Sequence, residues 1–303
     1  MSKIARPIRA SVAFSPLAPA LPRVFALGRA LALGLGLAPG LVVALGVALT
    51  FTLTIGAEPA SASIRNFGYV YGSDVLNEGA VELEPWTTFR LGRERFYARV
   101  DHRLELEAGV TDRLQAAFYL NWTAIQREDA GGTRDSEFEW NGISLEWKYK
   151  LADPVAQPLG VALYVEPSFG PAESEIEGKL ILDSRRGDWY GAFNAVFEHE
   201  WDYAAAETER EAALEGDLGI CRFVGPAVAG GIEVRSVNEI PAGEGLESSV
   251  LFTGPVFRYA ADSFWLTATV LAQIAAFEGK TKDGLDLARH ERVEARLLLG
   301  VDL

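Results

Sequence analysis

The sequence predicts an all-β fold: an antiparallel up-and-down β-barrel of about twelve strands that crosses a membrane, behind an N-terminal signal peptide. Three observations predict it. Long stretches alternate apolar and charged residues with a period of two, which puts one set on each face of a strand. After residue 62 no segment approaches the roughly 18 consecutive apolar residues of a membrane helix. The predicted strands run 10 to 15 residues, well above the usual strand length of about 5 to 6. A soluble sandwich or lipocalin-like barrel also alternates, but with its apolar residues facing a packed core.

The clearest unit is Tyr97 to Trp122, YARVDHRLELEAGVTDRLQAAFYLNW. Ala98, Val100, His102, Leu104, Leu106, Ala108 and Val110 share one face; Arg99, Asp101, Arg103, Glu105, Glu107 and Gly109 share the other. Thr111, Asp112 and Arg113 make a tight turn. Leu114, Ala116, Phe118, Leu120 and Trp122 then alternate with Gln115, Ala117, Tyr119 and Asn121. A helix would smear both sets around its circumference.

In chain order, strand one is predicted over residues 80–92, with Val81, Leu83, Phe89 and Leu91 outward and Glu82, Glu84, Trp86 and Arg90 inward. The hairpin above supplies strands two and three, and 127–135 is a polar loop. Strand four covers about 137–151 and changes parity at Asn141-Gly142, which predicts a β-bulge. After the turn at 152–158, strand five sets Leu159, Val161, Leu163 and Val165 against Ala162, Tyr164 and Glu166. Strand six sets Ile176, Leu180 and Leu182 against Glu177, Lys179 and Ile181. Strand seven points Trp189, Phe193, Phe197, His199 and Trp201 outward and Asn194, Glu198, Glu200 and Asp202 inward. Strand eight turns Glu211, Glu215, Asp217 and Cys221 inward, and strand nine, about 226–237, turns Ala229, Glu233 and Arg235 inward. After a loop at 238–247, strands ten (248–259) and eleven (from Phe264) follow. A last polar loop at 278–289 leads to strand twelve, with Val293, Ala295, Leu297, Leu299, Val301 and Leu303 outward and Arg292, Glu294, Arg296 and Asp302 inward. Twelve is even, as single-chain bacterial barrels require. The polar loops at 127–135, 238–247 and 278–289 all fall on one end, and tight turns on the other. Trp and Tyr residues gather near strand ends, among them Tyr97, Trp122, Trp140, Trp147, Tyr149, Trp189, Trp201, Tyr203, Tyr259 and Trp265, as interface girdles do.

The 303 residues carry a formal charge of −14. Residues 1–62 hold Lys3, Arg6, Arg9, Arg23 and Arg29 against Glu58, a balance of +4, which leaves −18 for the remainder. So acidic a body excludes a nucleic-acid partner, whose phosphates need Lys and Arg. The single Cys221 permits no internal disulfide. After the basic leader, residues 30–57 are apolar and uncharged, and Ala60 and Ala62 sit at small-x-small positions. This predicts a signal peptide over 1–62, cut after Ala62; an uncleaved transmembrane helix is the competing reading, weakened by Pro39 and five glycines. Residues 63–79 are then a lead-in on the periplasmic side, and 80–303 the barrel.

Several stretches, FGYVYGSDVLNEGAVELEPWTTFRLG, LEAGVTDRLQAAFYLNW, GVALYVEPSFG, EGKLIL, LFTGPVFRYAADSFWLTATVLAQI and ERVEARLLLGVDL, resemble a family of uncharacterised Gram-negative outer-membrane β-barrels, a domain of unknown function. Together they cover most of residues 67–303. The resemblance implies fold and outer-membrane location; it brings no substrate and no catalytic residue. Barrels of this type commonly end in an aromatic residue, whereas this chain ends in Leu303.

A lumen lined by charge is the candidate site. Asp101, Glu105, Glu107, Glu146, Glu166, Glu198, Glu200, Glu215, Asp217, Glu233 and Glu294 fall on the inward parity, with Arg99, Arg103, Lys148, Lys179, Arg235, Arg292 and Arg296. An acidic lumen favours small cationic or neutral solutes. The alternative is that these charges pair and plug the barrel, leaving a structural or surface-interaction protein. Outer-membrane lipid and the barrel-insertion machinery are the expected partners, with small solutes a further one. A lipid-modifying outer-membrane enzyme is the least favoured alternative, and no enzyme is expected: His102 and His199 fall on the lipid face with no serine beside them. No metal site or cofactor is expected either, since the neighbours Glu198, His199 and Glu200 point to opposite faces of a strand.

Overall fold

In the computed structural model, residues 64–204 and 207–303 are described; the signal peptide expected over 1–62, and its cleavage after Ala62, lie outside them. The described chain forms β1 (Val81–Leu91), β2 (Tyr97–Thr111), β3 (Leu114–Glu128), β4 (Arg134–Ala152), β5 (Gly160–Phe169), β6 (Glu173–Arg186), β7 (Trp189–Asp202), β8 (Glu209–Phe223), β9 (Val228–Pro241), β10 (Ser248–Ala260), β11 (Phe264–Glu278) and β12 (Val293–Asp302). Each strand pairs antiparallel with the next, and β1 pairs with β12 from Glu82↔Asp302 to Leu91↔Val293, closing the barrel. Closure leaves no strand edge unpaired, the condition for a sheet to stand in lipid.

The parity is as the sequence predicts. Leu106, Phe118 and Leu145 form one outward row across β2, β3 and β4, with Leu106 and Phe118 45% and 40% exposed. Glu105, Glu107 and Glu146 on the opposite face are at most 2% exposed. Trp147, Tyr149, Trp189 and Tyr259 ring the turn end; Trp122, Trp140 and Trp201 face outward nearer the loop end. Trp265, expected in a girdle, is instead inside the barrel at 1% exposure, because its position on β11 has inward parity. Phe118→Arg in the middle of the outward band is expected to destabilise the barrel by about 2–4 kcal/mol, measured as denaturant unfolding from lipid vesicles; an unchanged midpoint would contradict a lipid-facing surface.

The bulge predicted at Gly142 is present. The β3–β4 register shifts between Asn121 and Trp122, and Gly142 has φ +95°. A Cβ there would lie 1.9 Å from the Phe169 carbonyl oxygen, so only glycine fits. Two loops are shorter than expected. β3 and β4 continue pairing through Arg127↔Asp135 and Glu128↔Arg134, and β9 runs on to Pro241. Polarity there marks strands that rise beyond the apolar band, and does not end the pairing. The β11–β12 connection is the long one.

Residues 64–79, expected as a lead-in ahead of the wall, run inside it. Phe67, Val70, Tyr71, Ser73 and Leu76 are at most 3% exposed. The segment starts from the turn end, where Gly79 and Ala80 exchange backbone hydrogen bonds with Gly109. It crosses the lumen past β3, β6, β7 and β9 and reaches β11, where Thr267 donates to the Arg65 carbonyl at 2.5 Å.

Candidate functional site

The lumen divides at this N-terminal plug. Glu233 on β9 accepts the backbone N–H groups of Gly68 (3.1 Å), Tyr69 (2.9 Å) and Val70 (3.1 Å), together with the Thr269 hydroxyl at 2.5 Å. Asn194 on β7 accepts the Tyr71 N–H at 2.7 Å and donates to the Tyr71 carbonyl at 3.0 Å. Asp183 on β6 accepts the Ser73 N–H and hydroxyl at 3.1 and 2.7 Å, and Gln115 on β3 accepts the Leu76 N–H at 2.9 Å. An extended segment that is not in a sheet has unsatisfied backbone donors, and here inward side chains supply the acceptors. Phe67 packs in a socket made by Gly219, where a Cβ would come within 2.7 Å of its ring. Arg65 stacks 3.6 Å over Tyr71. Burial works against its charge, but Tyr71, Glu84 and Glu105 outweigh burial and hold its pKa above the ordinary value.

Above the plug, two adjoining cavities of about 290 and 300 Å³ run from Tyr69 and Tyr71 to Glu211 and Arg289 at the loop end. Their walls differ in charge balance. On the β1, β2, β9 and β12 side every arginine but Arg296 is matched. Arg90 binds Asp101 at 2.8 Å and Glu294 at 2.6 Å; Arg99 binds Asp101 at 2.5 Å. Arg235 binds Glu215 at 2.6 Å and Glu294 at 3.2 Å, and Arg103 pairs with Glu166. On the opposite wall Glu175 faces Glu200, Glu177 faces Glu198, and Glu200 faces Glu211 across neighbouring strands. Of these, only Glu177 has a described partner, Lys179 at 2.8 Å. Glu175, Glu198, Glu200 and Glu211 on β6–β8 therefore form a patch of carboxylates without a described cationic partner, open to the cavity.

The residues expected from inward parity separate into three groups inside the barrel. Arg99, Asp101, Arg103, Glu166, Lys179, Glu198, Glu200, Glu215, Asp217, Arg235 and Glu294 line the cavities. Glu233 and Arg296 hold the plug; Arg296 donates to the Gly68 carbonyl at 3.2 Å and lies 3.8 Å over the Tyr69 ring. Glu105, Glu107, Glu146 and Lys148 are buried and line neither cavity. Arg292, expected inside, is exposed: β12 begins one residue later, and its guanidinium lies 3.8 Å from Asp283 in the loop. Glu173 and Glu175 were missed because the alternation was read only from Ile176, whereas β6 begins at Glu173.

The histidines do not assemble a nucleophilic site. His102 and His199 face outward beside Trp122 and Trp201. His290 Nε2 lies 2.9 Å from the Ser248 hydroxyl, but that hydroxyl is fully buried and donates to Asp286 at 2.8 Å. A triad needs the carboxylate on the other ring nitrogen; here Glu239 approaches Nε2 as well, at 3.4 Å. The cluster pins the β11–β12 loop across the rim.

A closed twelve-strand barrel with an apolar exterior and a charged, partly filled interior defines a membrane barrel of the outer-membrane type. The chain belongs to a family of unknown function (DUF6662), whose model matches residues 59–180 and 191–303. Among solved structures it is similar to the COG4313 outer membrane channel from Pseudomonas putida F1, at 12% identity and TM-score 0.57, covering 76% of this chain and 98% of that one. It is also similar to the NanC porin, at 10% identity and TM-score 0.49, covering 73% and 100%. The β domain of the Bordetella autotransporter BrkA matches at 14% identity and TM-score 0.46, covering 75% and 100%. The first of these likenesses establishes a shared fold. No curated protein sequence matches the chain.

Proposed function

We propose that this protein is exported by the signal peptide expected over 1–62 and inserted into the outer membrane. There it is a narrow channel for small cationic or neutral solutes, with the N-terminal segment as its gate. The observation that supports this best is the charge asymmetry of the cavity. The arginine wall is almost wholly paired, whereas Glu175, Glu198, Glu200 and Glu211 face the cavity without a described cationic partner. A cavity bounded by low-dielectric walls of one sign concentrates solutes of the other. The likeness of fold to a solved outer membrane channel supports the same reading.

The plug favours a second reading: a closed structural or surface-interaction barrel whose loops at 127–135, 238–247 and 278–289 meet outside partners. Planar-bilayer recordings of the purified protein separate the two. The channel reading expects cation-selective conductance that falls toward non-selectivity in Glu175→Gln/Glu198→Gln/Glu200→Gln. Neutralising Glu105 and Glu107 is not the informative change, since neither lines the cavities. Absence of conductance both in the intact protein and in one lacking 64–76 would support the closed barrel.

A further inference from the structure

A second acidic group lies in the barrel wall behind the plug. Glu82 and Glu84 on β1 stand directly opposite Glu107 and Glu105 on β2. Glu146 on β4 reaches the same place across Ala117, which pairs with Glu107 on one side and Glu146 on the other. All five are at most 2% exposed. Like charges directly opposite on neighbouring strands destabilise a sheet, and here two such pairs are stacked. Oxygens of Glu82, Glu84 and Glu107 lie within 4.8 Å of one another, and so do oxygens of Glu105, Glu107 and Glu146.

The way these oxygens are held points to a ligand. Trp265 Nε1 donates to one oxygen of Glu82 at 3.0 Å, and Trp86 Nε1 donates to one oxygen of Glu84 at 3.1 Å. The other oxygen of each is buried without a partner. Tyr119 and Gln115 hold Glu146. Glu105 is fully buried, and neither of its oxygens has a hydrogen-bond partner among the described residues. None of the five carboxylates forms an ion pair with a described Lys or Arg; Arg65, whose guanidinium has no hydrogen-bond partner, compensates Glu84 and Glu105 only from a longer range. Burying an unpaired carboxylate costs several kcal/mol. A hard cation removes that cost, and calcium takes six to eight oxygens at about 2.3–2.6 Å, a spacing compatible with oxygens up to 4.8 Å apart.

We propose that this pocket binds a divalent cation of the calcium type, with Glu105, Glu107 and Glu146 as its carboxylate ligands. Glu82 and Glu84, grouped on the other side of the shared Glu107, add negative charge beside the ion, and Trp86 and Trp265 orient them, as outer partners commonly do in metal sites. The ion clamps β2 to β4 next to β1 and under the plug. Because the pocket is closed, the ion enters during folding or when the plug lifts.

Terbium(III), which substitutes for calcium and is excited by nearby indoles, tests this in protein refolded into detergent with the ion present. Sensitised emission is expected, displaced by calcium. It should fall about tenfold or more in Glu105→Gln/Glu107→Gln and persist in Glu198→Gln/Glu200→Gln. Calcium should also raise the melting temperature of the wild type and not that of Glu105→Gln, a variant that keeps the site's shape should the double substitution fail to fold. Absence of emission in the wild type, or its survival when Glu105 and Glu107 are neutralised, would overturn the proposal and assign the cluster to carboxyls that share protons.

Discussion

Glu233→Ala is expected to unseat the N-terminal segment while the barrel wall stays closed. Three buried backbone N–H groups and the Thr269 hydroxyl lose their acceptor at once. At about 1–3 kcal/mol for each stranded buried donor, this removes the side chain that holds more backbone groups of the segment than any other described residue. Conductance through the barrel should rise several-fold, and residues 64–76 should become accessible to protease, while the folded band on a gel persists. Gly219→Val reaches the same end by a different route. Its side chain takes the space of the Phe67 ring, with no change in lumen charge. If both variants keep their plug protected and their conductance unchanged, the segment is a fixed part of the wall and the gating role fails.

The second large effect is expected at Glu294, which joins Arg90 and Arg235 across the lumen at 2.6 and 3.2 Å and is 1% exposed. Removing one member of a buried ionic network strands its partners. Such losses run to about 3–5 kcal/mol, and Glu294→Ala should fall near the lower figure because Asp101 and Glu215 still hold the two arginines. Denaturant unfolding from lipid vesicles measures this. Glu294→Gln, which keeps the shape and one acceptor, should lose less. A loss below about 1 kcal/mol, the value typical of exposed pairs, would mean that cavity water screens the network.

The wall was legible in the sequence because a strand has a two-residue repeat and lipid tolerates only one kind of side chain on its outer face. Even the Gly142 bulge was visible, as a change of phase. The plug was not. FGYVYGSDV has no alternation, and its partners are single side chains on strands more than 100 residues away, except Gln115, so no local pattern records them. Parity also fixes which side of the wall a residue takes, but not its height. Glu105 and Glu198 are both inward by the same rule, yet one is sealed behind Tyr71 and Trp86 while the other lines the cavity. Arg292 was misplaced for a related reason: the alternation was extended one residue past the end of β12.

From Gly68 to Leu76 the plug is anchored by side chains and adds no rung to any strand ladder. It can therefore withdraw without breaking a single wall pairing. Opening of the segment and unfolding of the wall are thus separable events, the condition for a local unit to move inside an intact perimeter.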